Sequence, residues 1–361
     1  MTCSRVHADK IGTPAGKQVI ELMKSAKKAN EPRKHHYVPD FYQRKFTNEN
    51  GLLWVYDRLK KTFKELPPRV ICCEHDLYAV KPENKPRDMQ VELNVLSRVD
   101  SAGSRGIKEF ESRKPSSEAE QEVACFMAFQ ANRVPTISRD VRVIYAKAIE
   151  QIDRLAFANV GMTKHHMEQY SIETGQHLNV TPESIVQGSN YKIVATETAF
   201  LTTMIEQSVK LMNVLLQLDW EVLVANEQTG FIICDCPVVV IPPKDSDQVG
   251  FLVPGSTKYL PLSRQLCLRL GDLGHKRAFR NVSKADVRLV NQNIAANSER
   301  FIMCPSKVQL ENVVSRSGCA KMESTPRFII ETVEADEDGA LQKISARPRR
   351  YFYENGMDCA P

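Results

Sequence analysis

"RKHHYVPDFYQRKF", Arg33 to Phe46, places two of the chain's eight histidines side by side at the start of its first ordered stretch. If the backbone there is extended, His35 and His36 point to opposite sides, because side chains alternate along a strand. One then faces a pocket, and the other packs or meets solvent. Tyr37, Phe41, Tyr42 and Phe46 supply apolar anchoring, and Pro39 fixes a local turn. A pocket-facing histidine can act as general base, metal ligand or phosphate donor. Beside an aromatic cluster it serves equally well as a hydrogen-bonded structural group.

Working outward, the order of periodicities sets the fold class. "LLWVYDR" (52–58) and "KTFKELP" (61–67) read as two strands of a hairpin, and "HDLYAV" as a third short strand. "KPENKPRD" (81–88) is a loop by composition. A helical region follows. "DMQVELNVLSRVDSAGSRGIKEFESR" has helix-compatible spacing weakened by Gly103 and Gly106. "SSEAEQEVACFMAFQANRV" has a Ser117–Glu120 capping box and stops before Pro135. "SRDVRVIYAKAIEQIDRLAFANV" and "NYKIVATETAFLTTMIEQSVKLMNVLLQL" carry the clearest three- and four-residue apolar recurrence. Between them, "GMTKHHMEQYSIETGQHLNVTPES" reads as mobile and exposed, with His165 and His166 on its surface.

After 218 the period returns to that of strands. "WEVLVAN" and "FIICD" flank "EQTG", a hairpin signal. "PVVVI" and "QLCLRL" continue as strands. "SKADVRLVNQNIAANSERFIM" reads as a helix with a Ser283–Asp286 capping box, and "RFIIETVE" as a late strand. Strands, helices, strands, helix and strand in that order predict an α+β fold. Its mixed or antiparallel sheet is built from N-terminal and C-terminal strands and packs against a central group of long helices. Residues 1–33 read as a basic flexible leader, 34–345 as one domain and 346–361 as a C-terminal tail.

The hydrophobic content of 42% and charged content of 26% are those of a soluble globular protein. No apolar run reaches the roughly 18 residues of a membrane span, and the N-terminus lacks a secretory apolar stretch. No membrane association is therefore expected, and the cytoplasm is the default compartment. The ten cysteines include no C-x2-C pair, which argues against structural zinc. In "VACFMAF" and "QLCLRL" they read as small buried hydrophobes. The net charge of +5 is accounted for by residues 1–34, where eight basic side chains face three acidic ones. Such a leader can touch nucleic acid or another polyanion, or act only as a solubilising tail.

"HHYVPDFYQRKF" followed by "LLWVYDR" resembles the opening signature of the DUF4238 family, whose function is uncharacterised. "FQANRVP" is similar to its Gln-x-x-Arg-x-Pro helix end, "FIICDCPVVV" to its Phe-Ile-x-Ser-Asp-Asn-Pro strand, and "YLPLSRQLCL" to its Pro-Leu-Ser strand. "VNQNIAANSERFI" resembles its asparagine-bearing last helix, so the likeness spans roughly residues 34–303. The resemblance implies a polar set of His35, His36, Arg44, Gln130, Arg133, Asp235 and Asn291. Gln130 and Arg133 share a helix face. Arg133 near a helix C-terminus can equally be a cap. Asp235 ends an apolar strand, and can equally accept backbone hydrogen bonds in a turn. Asn291 lies on an apolar face, and can simply staple its helix to the sheet.

Cys234 and Cys236 stand where the family has serine and asparagine, which argues against a serine nucleophile; an apolar strand also raises a thiol's pKa. "CCEHD" (72–76) offers at most one of Cys72 and Cys73 beside His75 for a metal.

Two functions follow from this set. One is a hydrolase acting on a phosphodiester or nucleic acid. In it His35 or His36 is base or metal ligand, Asp235 is metal ligand or orienter, and Arg133 is the phosphate clamp, with Arg44, Gln130 and Asn291 on the substrate and the use of a divalent metal left open. Its weakness is a shortage of carboxylates. The other is a non-catalytic ligand-binding or protein-interaction module, in a setting such as bacterial conflict or phage defence.

Overall fold

Pro39 and the aromatic residues around it end one short strand and begin one short helix. Lys34–His36 forms β1 and Asp40–Arg44 forms α1, with Asp40 in the first turn and Arg44 in the last. That placement suits the helix dipole at both ends. In the computed structural model, residues 33–80, 87–156, 159–186, 195–244, 246, 248–319, 328–333, 341–346 and 351–353 are described. The leader up to residue 32, and most of the loop 81–88 and of the C-terminal tail, lie outside these residues.

The hairpin near the N-terminus forms as the alternation predicts. β2 (Leu53–Asp57) pairs antiparallel with β3 (Thr62–Leu66), and Asp57 Oδ1 accepts the backbone N–H groups of Leu59 and Lys60 in the turn. The third strand sits slightly earlier than "HDLYAV". It is β4 (Cys73–His75), antiparallel to β1, and Asp76 takes a positive φ of 55° that ends it.

The helical layer contains α2 (Ser97–Glu111), entered through a π-helical turn at Val91–Leu96, then α3 (Ser117–Asn132) and α4 (Pro135–Ala156). The cap of α3 is Ser116, one residue before the expected Ser117; its side chain accepts from Ala119 N. The stretch expected to be mobile is helical instead, as α5 (Val160–Thr174) and α6 (Pro182–Val186). It is mostly exposed. Asn159 caps α5 and Gly175, at φ +69°, ends it, so local capping rather than an apolar face defines this helix. α7 (Glu197–Leu216) completes the layer and packs on α3.

Gly103 and Gly106 do not break α2. A Cβ at Gly103 would lie 2.6 Å from the Phe126 ring, and one at Gly106 would lie 2.9 Å from the Ala119 carbonyl oxygen. The two glycines are where α3 presses against α2. Their helix-propensity cost is offset by this close approach.

Beyond α7 the chain builds two sheets. β5 (Leu218–Val224), β7 (Val239–Ile241), β8 (Thr257–Pro261), β9 (Leu266–Leu273) and β10 (Arg277–Asn281) form one in the order β10-β5-β9-β8-β7. Only β10 and β5 run parallel. β6 (Ile233–Cys234) belongs to the other, ordered β3-β2-β11-β6, where β11 (Phe301–Cys304) joins it to the N-terminal hairpin. "EQTG" therefore joins strands of different sheets and makes no hairpin. The expected long last helix is α8 (Lys284–Asn297), with the Ser283–Asp286 capping box in place. It stops at Asn297, and "FIM" turns into β11. α9 (Lys307–Ser317) lies against α8, and the late strand β12 (Phe328–Val333) pairs with β13 (Leu341–Ala346).

The structure is thus α+β, with one sheet shared between the two ends of the chain. Among the described residues no helix is long and apolar enough to cross a membrane.

Gly103→Ala tests the α2–α3 contact. Overpacking costs about 1–3 kcal/mol, and the gain in helix propensity returns about 1 kcal/mol. Urea unfolding is expected to show a net loss of roughly 1 kcal/mol, and a larger loss for Gly103→Val. A stabilised Gly103→Ala would mean that the contact is loose.

Candidate functional site

Arg133 follows the last turn of α3 and is wholly buried. Its Nε and Nη2 donate to Gln130 Oε1 at 3.0 and 2.8 Å, and its Nη1 donates to Asp100 Oδ1 at 2.7 Å. With its oxygen taken, Gln130 turns its amide nitrogen to the Tyr37 carbonyl at 2.8 Å. Tyr78 donates its hydroxyl to the Arg133 carbonyl, and its backbone N–H donates to His35 Nδ1 at 3.0 Å. The His35 and Tyr78 rings stack within 2° of parallel. His35, Gln130 and Arg133 are thus linked by hydrogen bonds through Tyr78 and Tyr37. The carboxylate that meets the arginine is Asp100, not Asp235. Arg44 stays outside, exposed and paired with Asp40 one turn back.

His36 lies on the other side of β1 and its Nε2, shielded from solvent, has no hydrogen-bond partner among the described residues. Burial lowers its pKa, against the pull of Asp40, of backbone hydrogen bonds at Arg69 and Pro68, and of Asp100. The neutral imidazole is thus favoured. Glu92, in the π-helical turn, is pushed up to about 7 by burial, with Arg133 opposing and Asp100 adding to the rise. Its Oε2 is also shielded and unpartnered among the described residues. Burial likewise raises Asp100, with Arg133 pulling it back. The sequence reading missed Glu92 and Asp100. The signal was there: "VELNVLSRVD" puts two carboxylates among buried Val91, Val95, Leu96 and Val99.

Asp235 is buried at the end of β6, and three backbone N–H groups occupy its carboxylate: Glu299 at 2.9 Å, Arg300 at 2.6 Å and Phe301 at 3.1 Å. Burial nevertheless raises its pKa to about 6. Cys234 is fully buried and its thiol donates to the Cys236 carbonyl at 3.1 Å. Among the described residues no three His, Cys, Asp or Glu side chains are placed to hold a metal ion. At "CCEHD", Cys72 is buried at a positive φ of 52°, while Glu74 and His75 are exposed on β4.

Asn291 on α8 uses both ends of its amide, accepting from Ile232 N at 3.1 Å and donating to the Gly230 carbonyl at 2.9 Å. Gln309 of α9 donates to the same carbonyl at 2.7 Å. These bonds form one end of a cleft of about 430 Å³ between α8, α9 and the turn before β6. Arg264 crosses Gly230 so closely that a Cβ there would lie 2.7 Å from its Cγ. Its Nε is shielded from solvent and has no partner among the described residues. Lys284, Arg288 and Arg316 line the same cleft, and no Asp or Glu does. None of the four cations is ion-paired among the described residues.

The architecture and these stitched motifs define an α+β protein whose polar signature residues tie strand ends to helices. The chain belongs to the DUF4238 family, a protein family of unknown function, whose model matches residues 34–307. No curated protein and no solved structure matches it.

Arg133→Met removes three hydrogen bonds and leaves Asp100 without its counter-charge. Denaturant unfolding is expected to show a loss of about 3–5 kcal/mol; a loss below 1 kcal/mol would refute the central role of this residue. Glu92 gives a second check. Its folded pKa of about 7 lies above the ordinary 4.5, so its contribution to stability falls as pH rises across that window. Glu92→Gln is expected to flatten the fall and to be more stable than the parent above pH 7. His36 contributes with the opposite sign, losing stability as pH drops below its ordinary 6.5, so the comparison is made in a His36→Asn background as well. An unchanged pH profile in both backgrounds would refute the assignment.

Proposed function

We propose that this protein is a ligand-binding module for an anion, received in the cleft between α8 and α9. One observation carries the reading: four cations line a single cleft that has no carboxylate and are not ion-paired among the described residues. Basic side chains on a folded surface usually lie among acidic ones, so four of one sign set up a field that attracts an anion. The open cleft also contrasts with the opening motif. There Arg133 is wholly buried and Asp235 is spent on backbone N–H groups. The cytoplasm is the compartment this reading assumes, in keeping with the free thiols of the eight described cysteines. The basic leader would add reach toward a larger polyanion such as nucleic acid.

The test is inorganic phosphate titrated onto the full chain, with thermal stability followed. A ligand that binds only the folded state stabilises by about 2.7 kcal/mol at one hundred times its Kd. The melting temperature is expected to rise with phosphate, less so at high chloride, and not at all in an Arg264→Gln, Arg316→Gln double variant. A flat response, or the same response in the variant, would refute the reading.

A second reading rests on the two shielded, unpartnered atoms beside the Arg133–Asp100 pair, His36 Nε2 and Glu92 Oε2. A neutral imidazole and a carboxyl that titrates near 7 are a base and an acid matched to neutral pH. In that scheme they would serve hydrolysis of a phosphodiester. His36→Ala would then abolish turnover of a phosphodiester substrate without weakening phosphate binding at the cleft.

A further inference from the structure

The cleft's cations say that its ligand is anionic; its amides say what else the ligand carries. Asn312 donates its amide nitrogen to the Val308 carbonyl at 2.9 Å, Gln309 to Gly230 and Gln292 to the Arg316 carbonyl. Each amide nitrogen has one of its two N–H groups engaged in this way, and all three carbonyl oxygens accept no hydrogen bond among the described residues. An oxygen acceptor repels a phosphate oxygen and calls for a hydroxyl or N–H donor. A bare inorganic anion would satisfy the arginines and leave these acceptors to water.

Size and wall chemistry narrow the class further. About 430 Å³ falls in the range of small-molecule pockets, roughly 300–1,000 Å³, and far exceeds the needs of one phosphoryl group. The apolar part of the lining is Val287, Val308 and Val313, with no aromatic ring on which a base could stack. Single-stranded nucleic acid is usually held by such stacking.

We infer that the ligand is a sugar phosphate, its phosphoryl group against Arg264 and its hydroxyls donating to the carbonyl oxygens of Gln292, Gln309 and Asn312. The inference rests on the anion-binding reading and adds the class of ligand. Arg264 is the phosphate contact because it is the half-buried one of the four cations and lines the cleft without an ion-pair partner among the described residues, and a guanidinium meets a phosphoryl group with paired donors. Lys284, Arg288 and Arg316 at the exposed rim attract the dianion without shaping it.

Calorimetric titration of the full chain decides the matter, with inorganic phosphate, ribose 5-phosphate, ribose and a ten-residue oligothymidylate as probes. Ribose 5-phosphate is expected to bind at least tenfold more tightly than phosphate, and ribose alone not measurably. Asn312→Leu, an exposed position that should leave the fold intact, is expected to cut that ratio at least threefold with phosphate affinity unchanged. Arg316→Gln is expected to weaken phosphate and ribose 5-phosphate alike. A ratio below ten, or one that Asn312→Leu leaves unaltered, would overturn the sugar-phosphate assignment while anion binding stood. Oligothymidylate binding more tightly than ribose 5-phosphate would overturn it in favour of nucleic acid. Failure of every anion to bind would remove the anion-binding reading itself.

Discussion

A guanidinium with no access to water must be neutralised and hydrogen-bonded where it lies, because each buried ion otherwise costs several kcal/mol. Arg133 meets that demand with Gln130 and Asp100, and much of the helical layer and the opening motif follows from how it does so. Since Gln130 Oε1 accepts from Arg133, the amide can only be oriented with its nitrogen toward Tyr37. Tyr37 directly follows the two histidines, so the arginine fixes where β1 lies against α3. Asp100 brings in α2, and the two glycines of α2 allow the approach that puts its carboxylate within reach. Tyr78 bonds Arg133 at one end and His35 at the other.

The same device recurs at the second junction. β6 is only two residues long, too short to hold its place by strand pairing alone. Asp235 and Asn291 supplement it from either end. The carboxylate collects three N–H groups between α8 and β11, and the amide clamps the chain from Gly230 to Ile232. A buried polar group is tolerated when it is satisfied. Here the groups satisfied are backbone donors and acceptors that no strand or helix pairs, which explains why an acid and an amide occur in otherwise apolar runs. Cys234 and Cys236, which the sequence resemblance sets in the place of a serine and an asparagine, are compatible with this arrangement. The stitching uses the Asp235 side chain, and Cys234 needs only a local carbonyl for its weak donor.

What was legible in the sequence was whatever local periodicity or capping controls. The β2–β3 hairpin, the helix stop before Pro135 and the Ser283–Asp286 box are set by residues near them in the chain. The hairpin read across "EQTG" failed because strand pairing there is decided at long range. β11, from some 70 residues further on, captures β6, while β5 pairs with β9 and β10. Gly103 and Gly106 misled for a related reason: a glycine's cost is local, but its benefit is a contact with another helix. In the candidate site, Gln130 and Arg133 could be placed on one face by spacing. Their partner Asp100 could not be chosen from sequence, since helix–helix packing alone brings it within 2.7 Å.

Asn291 belongs to both the wiring and the cleft, which gives the two a physical connection. Its amide holds Gly230 and Ile232, and Gly230 has no side chain because Arg264 passes directly over it. The Arg264 carbonyl accepts from the Phe231 backbone N–H, and the Arg264 backbone N–H donates to the carbonyl of Lys45, just past the opening helix α1. A ligand that draws on the Arg264 side chain therefore pulls on a residue whose backbone joins α1 to the turn before β6. The segment from Gly230 to Asp235 is held by side-chain clamps and a two-residue pairing with β11 rather than by a long ladder. An occupied cleft would tighten the clamps and, through Lys45, the motif that carries the paired histidines.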